Sequence, residues 1–131
     1  MVIDTSALVC IVLEAPEAAA FASAIFEDSI RLVSVVSLVE AGIVLEKALG
    51  RAGSEELEFA IRTLKLSIQP VTVDQGQTAL LAHWRYGRGL HRAALNFGDC
   101  FTYALAKRTN EPLLFKGNDF GRTDLRLVAL S

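Results

Sequence analysis

Met1-Val2-Ile3-Asp4-Thr5-Ser6-Ala7-Leu8 is the stretch that decides the fold class. Met1 to Ile3 is a short apolar run, Asp4-Thr5-Ser6 is a polar junction, and Ala7 to Leu13 has helical character, so a strand feeds directly into a helix. The rest of the chain repeats that alternation. Pro16 opens a second helix in which Ala19, Phe21, Ala22, Ile25 and Phe26 recur at helical spacing, and Ile30 to Val33 supplies a second short strand. Ser37 starts a helix that runs to about Leu49, where Gly50 stops it, and Glu55 to Leu66 is another helix with one apolar face. Ile68 to Val71, around Pro70, reads as a weak edge strand. Val73 to about Arg85 is a helix capped by Thr72 and broken by Gly87 and Gly89. Asp99 to Lys107 is a strongly apolar helix, Leu113 to Phe115 a buried strand, and Leu127 to Ala129 a final short strand. Strands alternating with helices throughout predict an α/β layer fold with a mainly parallel sheet.

A chain of 131 residues can bury roughly two thirds of the surface it exposes when unfolded, so a single domain over residues 1–131 is expected. No repeat, low-complexity tract or linker divides it. The hydrophobic fraction is 52% before Gly is counted, above the usual ~45–50% that includes Gly. That excess predicts apolar surface for a partner or a twin subunit. A membrane span needs about 20 uninterrupted apolar residues, whereas the run from Ile30 to Leu45 is broken by Arg31, Ser34, Ser37 and Glu40. Met1 leads straight into Val2-Ile3-Asp4 without the basic and apolar regions of a secretory signal, so a cytoplasmic location is expected. Cys10 and Cys100 lie far apart inside apolar helical patterns and read as buried hydrophobes rather than a disulfide.

The net charge of −2 lacks the basic excess usual in nucleic-acid-binding domains, so any such contact must come from a local patch. Arg85, Arg88, His91 and Arg92 form one, interleaved with Trp84 and Tyr86 just upstream of Asp99. A solvated basic loop is the simpler reading of the same residues.

Ligand sites in open parallel sheets lie beyond the carboxyl ends of the strands, and the parse puts two acids there. Asp4 ends the first strand, and Asp119 follows the Leu113 strand after Lys116-Gly117-Asn118. Glu40 and Asp99 sit in helices among apolar neighbours, where a carboxylate is costly to bury without a countercharge. Each has an ordinary alternative. Asp4 and Asp99 suit helix N-termini, Ser37 and Glu40 have capping-box spacing, and Gly117-Asn118-Asp119 is a common turn composition.

The set matters more than any member. Mg²⁺ and Mn²⁺ take hard carboxylate oxygens and do not need Cys or His. His83 and His91 lack the paired spacing of a zinc site, no Gly-x-Ser-x-Gly elbow marks a serine hydrolase, and no P-loop occurs. A phosphorelay receiver would need an acceptor Asp near mid-chain, where none lies between Asp28 and Asp74; a haloacid-dehalogenase-like phosphatase would want a second Asp where Ser6 stands.

The opening Val2-Ile3-Asp4-Thr5-Ser6-Ala7, the helical Glu40, the segment from Leu95 through Gly98-Asp99 to Ala106, and Pro112-Leu113-Leu114-Phe115-Lys116-Gly117-Asn118-Asp119-Phe120 with Thr123-Asp124 together resemble VapC-type toxin ribonucleases of the PIN-domain family. The match spans the chain in order. The resemblance implies a PIN-like three-layer fold and a metal-dependent endoribonuclease whose acidic quartet is Asp4, Glu40, Asp99 and Asp119. Asp4, Asp99 and Asp119 would hold one or two Mg²⁺ or Mn²⁺ ions, with Glu40 ligating or orienting a water, and Thr5 or Ser6 supporting the first acid. Some members carry an acid where Asn118 stands, so Asn118 is either a neutral ligand or a shaper of the turn; Thr123 and Asp124 are further supporting candidates. RNA as substrate, a VapB-type antitoxin as partner and a homodimer are implied in the same way, and the basic patch of Arg85, Arg88, His91 and Arg92 is the candidate to contact that RNA. The rival expectation is a non-catalytic interaction subunit that keeps the PIN fold.

Overall fold

The computed structural model describes residues 1–130. In chain order the elements are β1 (Val2–Ile3), α1 (Thr5–Val12), α2 (Ala18–Glu27), β2 (Leu32–Ser34), α3 (Val35–Leu49), α4 (Arg51–Thr63), β3 (Ser67–Gln69), α5 (Val73–Tyr86), α6 (Phe97–Thr109) and β4 (Leu113–Leu114), then a short 3-10 helix (Asp119–Arg122). The sheet order is β3-β2-β1-β4, and every pairing is parallel, with Val2 beside both Leu32 and Leu113.

Side chains alternate between the two faces of a strand, and here both faces are buried. Ile3, Val33 and Leu114 join a core with Leu8, Ile25, Leu45 and Leu57 from α1 to α4. Val2 and Leu113 join a second core with Ala79 of α5 and Tyr103 and Leu105 of α6. The expected three-layer architecture is therefore present. From β1 the chain steps outward to β2 and β3, then returns to lay β4 on the other side of β1. That reversal makes the carboxyl ends of β1 and β4 the switch point where a parallel sheet opens a crevice. No helix of the described residues is long and apolar enough to cross a membrane.

Several boundaries differ from the expectations. The expected strand Leu127 to Ala129 is reduced to one bridge between Leu113 and Leu127. Helix α3 begins at Val35, capped by Ser34, whose Oγ accepts from the Val36 N–H at 3.2 Å; Ser37 is inside the helix and buried. Helix α4 starts at Arg51, not Glu55, and runs through Gly53, where a Cβ would collide with the backbone carbonyl of Leu45. Glycine there permits close packing of α3 and α4. Strand β3 ends at Gln69, since Pro70 has no N–H to continue a ladder. Thr72 caps α5 as expected, accepting from Gln75 N–H at 3.1 Å.

Candidate active site

Asp4, at the end of β1, is only 4% exposed. Its backbone N–H donates to Leu114 O at 3.0 Å, which fixes it between the two central strands. It caps α1 as the simpler reading expected: Oδ2 accepts from the Ser6 N–H at 3.0 Å and the Ser6 hydroxyl at 2.8 Å. The cap leaves Oδ1, which accepts from Thr102 Oγ1 of α6 at 2.7 Å. Thr102 lies 3.2 Å from Ser37 Oγ of α3, and both residues are wholly buried. Three hydrogen bonds thus offset the desolvation of a buried carboxylate.

Glu40 does not close a capping box with Ser37, because α3 begins a turn earlier than expected. It is half-buried, its Oε1 accepts from Thr5 Oγ1 at 3.1 Å, and its carboxyl lies where a Cβ on Gly98 would be. Burial raises its pKa, Thr5 pulls the other way and the Asp4 charge adds to the rise.

Asp99 caps its helix, as its ordinary alternative expected. It completes a capping box with Asn96 at the start of α6, Asp99 Oδ2 accepting from Asn96 N–H at 3.0 Å and Asn96 Oδ1 from Asp99 N–H at 2.9 Å. Even so, burial pushes its carboxyl up to about 6 against that bond, and the charges of Asp4, Asp119 and Glu40 add to the rise. Asp4, Glu40 and Asp99 line one pocket of about 450 Å³ together with Thr5, Ser6 and Lys116. Asp119 opens the 3-10 helix, exposed and outside that lining, though its charge reaches Asp99.

Among the described residues, no three Asp, Glu, His or Cys side chains converge closely enough to hold a metal ion as they stand. Asp4, Glu40 and Asp99 share a pocket without being gathered at one point, and Asp119 stands outside it. Their chemistry nevertheless fits a hard divalent cation: the donors are carboxylates with hydroxyls beside them, and the raised Glu40 and Asp99 lack a countercharge that a cation would supply.

The supporting candidates separate. Thr5 and Ser6 both belong to the pocket, Thr5 serving Glu40 and Ser6 serving Asp4. Asn118 is exposed and outside the pocket lining, its carbonyl closing the turn by accepting from Gly121 N–H at 3.2 Å. Thr123 Oγ1 donates to Phe120 O at 2.7 Å and stays within its own turn. Asp124 accepts from Tyr103 at 2.7 Å and pairs with Lys107 at 2.7 Å, two turns beyond Asp99 along α6. It is a clasp outside the acidic pocket.

The basic segment is a pinned loop. Arg88 N–H donates to Leu95 O at 3.0 Å and Leu95 N–H to Tyr86 O at 2.9 Å. His91 turns inward, its Nδ1 accepting from Ala93 N–H at 3.0 Å. Arg85, Arg88 and Arg92 are exposed. Arg88 lines an apolar groove of about 540 Å³ between α5 and α6, which meets the acidic pocket at Asn96; Arg85 and Arg92 line neither. Arg122 Nη1 donates to Arg92 O at 3.0 Å, tying the loop to the turn that carries Asp119.

Sequence reasoning missed Thr102, Ser37 and Gly98. Thr102 had a signal: three residues after Asp99 on a helix, a hydroxyl on the same face of an otherwise apolar segment.

The PIN domain family model matches residues 1–125. The chain is 46% identical to ribonuclease VapC30 of Mycobacterium tuberculosis over 130 residues, 99% of each chain. It is also 46% identical to ribonuclease VapC of Mycolicibacterium smegmatis over 128 residues, 98% of this chain and 99% of that one. Two solved structures share the fold at 16% identity: M. tuberculosis VapC20, described as a sarcin-ricin loop cleaving toxin, with a TM-score of 0.77 over 97% of both chains, and a toxin-antitoxin complex from Klebsiella pneumoniae, with 0.73 over 97% of this chain and 95% of that one. A match that runs nearly end to end, on a sheet whose switch point carries acids, places this chain in the PIN-domain family, among the VapC-type ribonucleases.

Proposed function

We propose that this protein is the toxin of a type II toxin-antitoxin system, an endoribonuclease that hydrolyses RNA phosphodiester bonds with Mg²⁺ or Mn²⁺. The observation that carries the reading is Asp99, kept half-buried beside Asp4, Glu40 and Asp119 with its carboxyl pushed up to about 6. Near-full-length similarity to named ribonucleases supports it. Asp4, Asp99 and Asp119 would hold the cation, which when bound supplies charge to offset the phosphodiester and acidity for an attacking water. Ser6 and Thr102 hold both oxygens of Asp4 in place. Thr5 holds Glu40 Oε1, which leaves Oε2 to accept a proton at a carboxyl whose pKa is already raised. Arg88, at the groove that meets the pocket, and Arg85 and Arg92 on the same loop supply positive charge for the RNA backbone.

A VapB-type antitoxin, a homodimer and a cytoplasmic location belong to the same proposal. Exposed Leu13 and Val44 line the acidic pocket and suit an apolar partner segment, while exposed Leu80 and Phe97 line the α5/α6 groove and suit a second subunit.

The test is cleavage of end-labelled RNA in Mg²⁺ or Mn²⁺ by the parent, Asp4→Asn and Asp99→Asn. Loss of more than about a hundredfold in rate is expected for each variant. Folded variants that cleave at the parental rate would remove the acids from the chemistry. The non-catalytic reading predicts an intact RNA with every protein, and calorimetry then shows no Mn²⁺ heat that depends on Asp99.

A further inference from the structure

We infer that Lys116 is a substrate-binding residue of the acidic pocket, parked on Glu17 until an RNA phosphate takes its ammonium; this rests on the nuclease reading above. Lys116 is the sole Lys or Arg among the described residues that line the pocket with Asp4, Glu40 and Asp99. Its backbone is fixed to the site. Lys116 N–H donates to Ser6 Oγ at 2.9 Å, and that hydroxyl donates to Asp4 Oδ2 at 2.8 Å, so two hydrogen bonds set the lysine's origin relative to the first acid. Its far end is held differently. Nζ lies 3.3 Å from Glu17 Oε2, with both side chains 46% exposed.

Exposed pairs of this kind are weak and easily exchanged. A lysine stem is also flexible, so the head can move while the backbone stays in place. The pocket's problem is electrostatic: its acids repel a polyanion, and a cation held among them serves the reacting phosphate alone. A lysine rooted beside Asp4 gives a neighbouring phosphate a partner that belongs to the protein. Were Lys116 only a surface ion-pair partner, its removal would alter stability slightly and leave substrate binding unchanged.

The experiment is steady-state cleavage of a short single-stranded RNA in Mn²⁺ across a salt series, with the intact chain, Lys116→Gln, Lys116→Arg and Glu17→Gln. Lys116→Gln is expected to raise KM about tenfold and to lower the salt slope by about one counterion. Lys116→Arg keeps the charge and restores KM to within about threefold. Glu17→Gln breaks the same ion pair but frees the lysine, so KM falls up to about fivefold. If Lys116→Gln retains the parental KM and salt slope while the parent cleaves, the inference fails alone. It fails equally if Glu17→Gln raises KM as much as Lys116→Gln does, because the ion pair would then be structural. A parent that leaves RNA intact overturns the nuclease reading and this inference together.

Discussion

The carboxyl group of Glu40 fills the space that a side chain on Gly98 would occupy. Gly98 needs no left-handed backbone, so its identity is set by the acid that α3 presses against α6. Helix propensity favours alanine over glycine by about 1 kcal/mol, so Gly98→Ala should change thermal stability by no more than about that amount. It must, however, push Glu40 out of position. RNA cleavage is expected to fall at least about tenfold, and adding Gly98→Ala to Glu40→Ala should cause no further loss. Parental activity in the single variant would show that Glu40 works equally well elsewhere.

Thr102 carries one end of Asp4, and nothing wet can replace it. Thr102→Val keeps the shape, strips a hydrogen bond from Asp4 Oδ1 and leaves the buried Ser37 hydroxyl without its partner. A loss of about 1–3 kcal/mol in urea unfolding is expected. Cleavage should fall as well, because the first acid is no longer held on both oxygens. Thr102→Ser retains the hydroxyl and should recover most of both. A valine variant as stable and active as the parent would mean that Asp4 does not depend on α6.

Asp99 makes the metal-free protein sensitive to pH in an unusual direction. Burial, more than any other cause, pushes its carboxyl up to about 6 in the folded protein, against about 3.9 for an ordinary aspartate. Between those values the folded state binds more protons than the unfolded state, so stability falls as pH rises from about 4 to about 6 and stays reduced above it. Glu40, also raised, acts with the same sign. Asp99→Asn removes the charge and keeps an oxygen for the Asn96 cap. In EDTA at pH 7 it should be more stable than the parent by on the order of 1–2 kcal/mol, a figure discounted for partial exposure. The gap should close near pH 4. Thermal melts across that range decide it, and a parent more stable than Asp99→Asn at pH 7 would contradict the origin given for the shift.

The alternation of strands and helices was legible because each element carries its own period and its own punctuation: Thr72 caps α5 and Gly50 ends α3 as their chemistry suggests. Capping residues were harder to choose between. Ser34 and Ser37 are both plausible starts for α3, and what separates them is that Ser37 is drawn inward by Thr102, a residue 65 positions away. The expected start of α4, at Glu55, is too late, because what admits Gly53 to the helix is the close approach of the α3 backbone at Leu45. At the site, the acids stood out as charges among apolar residues. Gly98 did not, because its role comes from a contact with Glu40 on another element; Thr102 showed only as a hydroxyl on the face of Asp99, and its bond to Asp4 is written in no local pattern.

Asp124 offers the contrasting case, an acid of the family-like C-terminal segment that works outside the pocket. Although burial acts the other way, Lys107 and Tyr103 hold its carboxyl below the usual range, as befits a permanently charged clasp. Tyr103 is 2% exposed and donates its hydroxyl to Asp124 alone among the described residues, so Asp124→Ala strands a nearly buried donor. Loss of about 1–2 kcal/mol in chemical denaturation is expected. Lys107 lies eight positions beyond Asp99, roughly 12 Å along the helix, and Asp124 itself stands outside the acidic pocket, which keeps this disturbance away from the acids. RNA cleavage by folded Asp124→Ala should therefore remain within about twofold of the parent, since nothing that holds Asp4, Glu40 or Asp99 runs through the clasp. A fall in rate as deep as that of Asp99→Asn, with the variant still folded, would show that Asp124 supports the reacting acids after all.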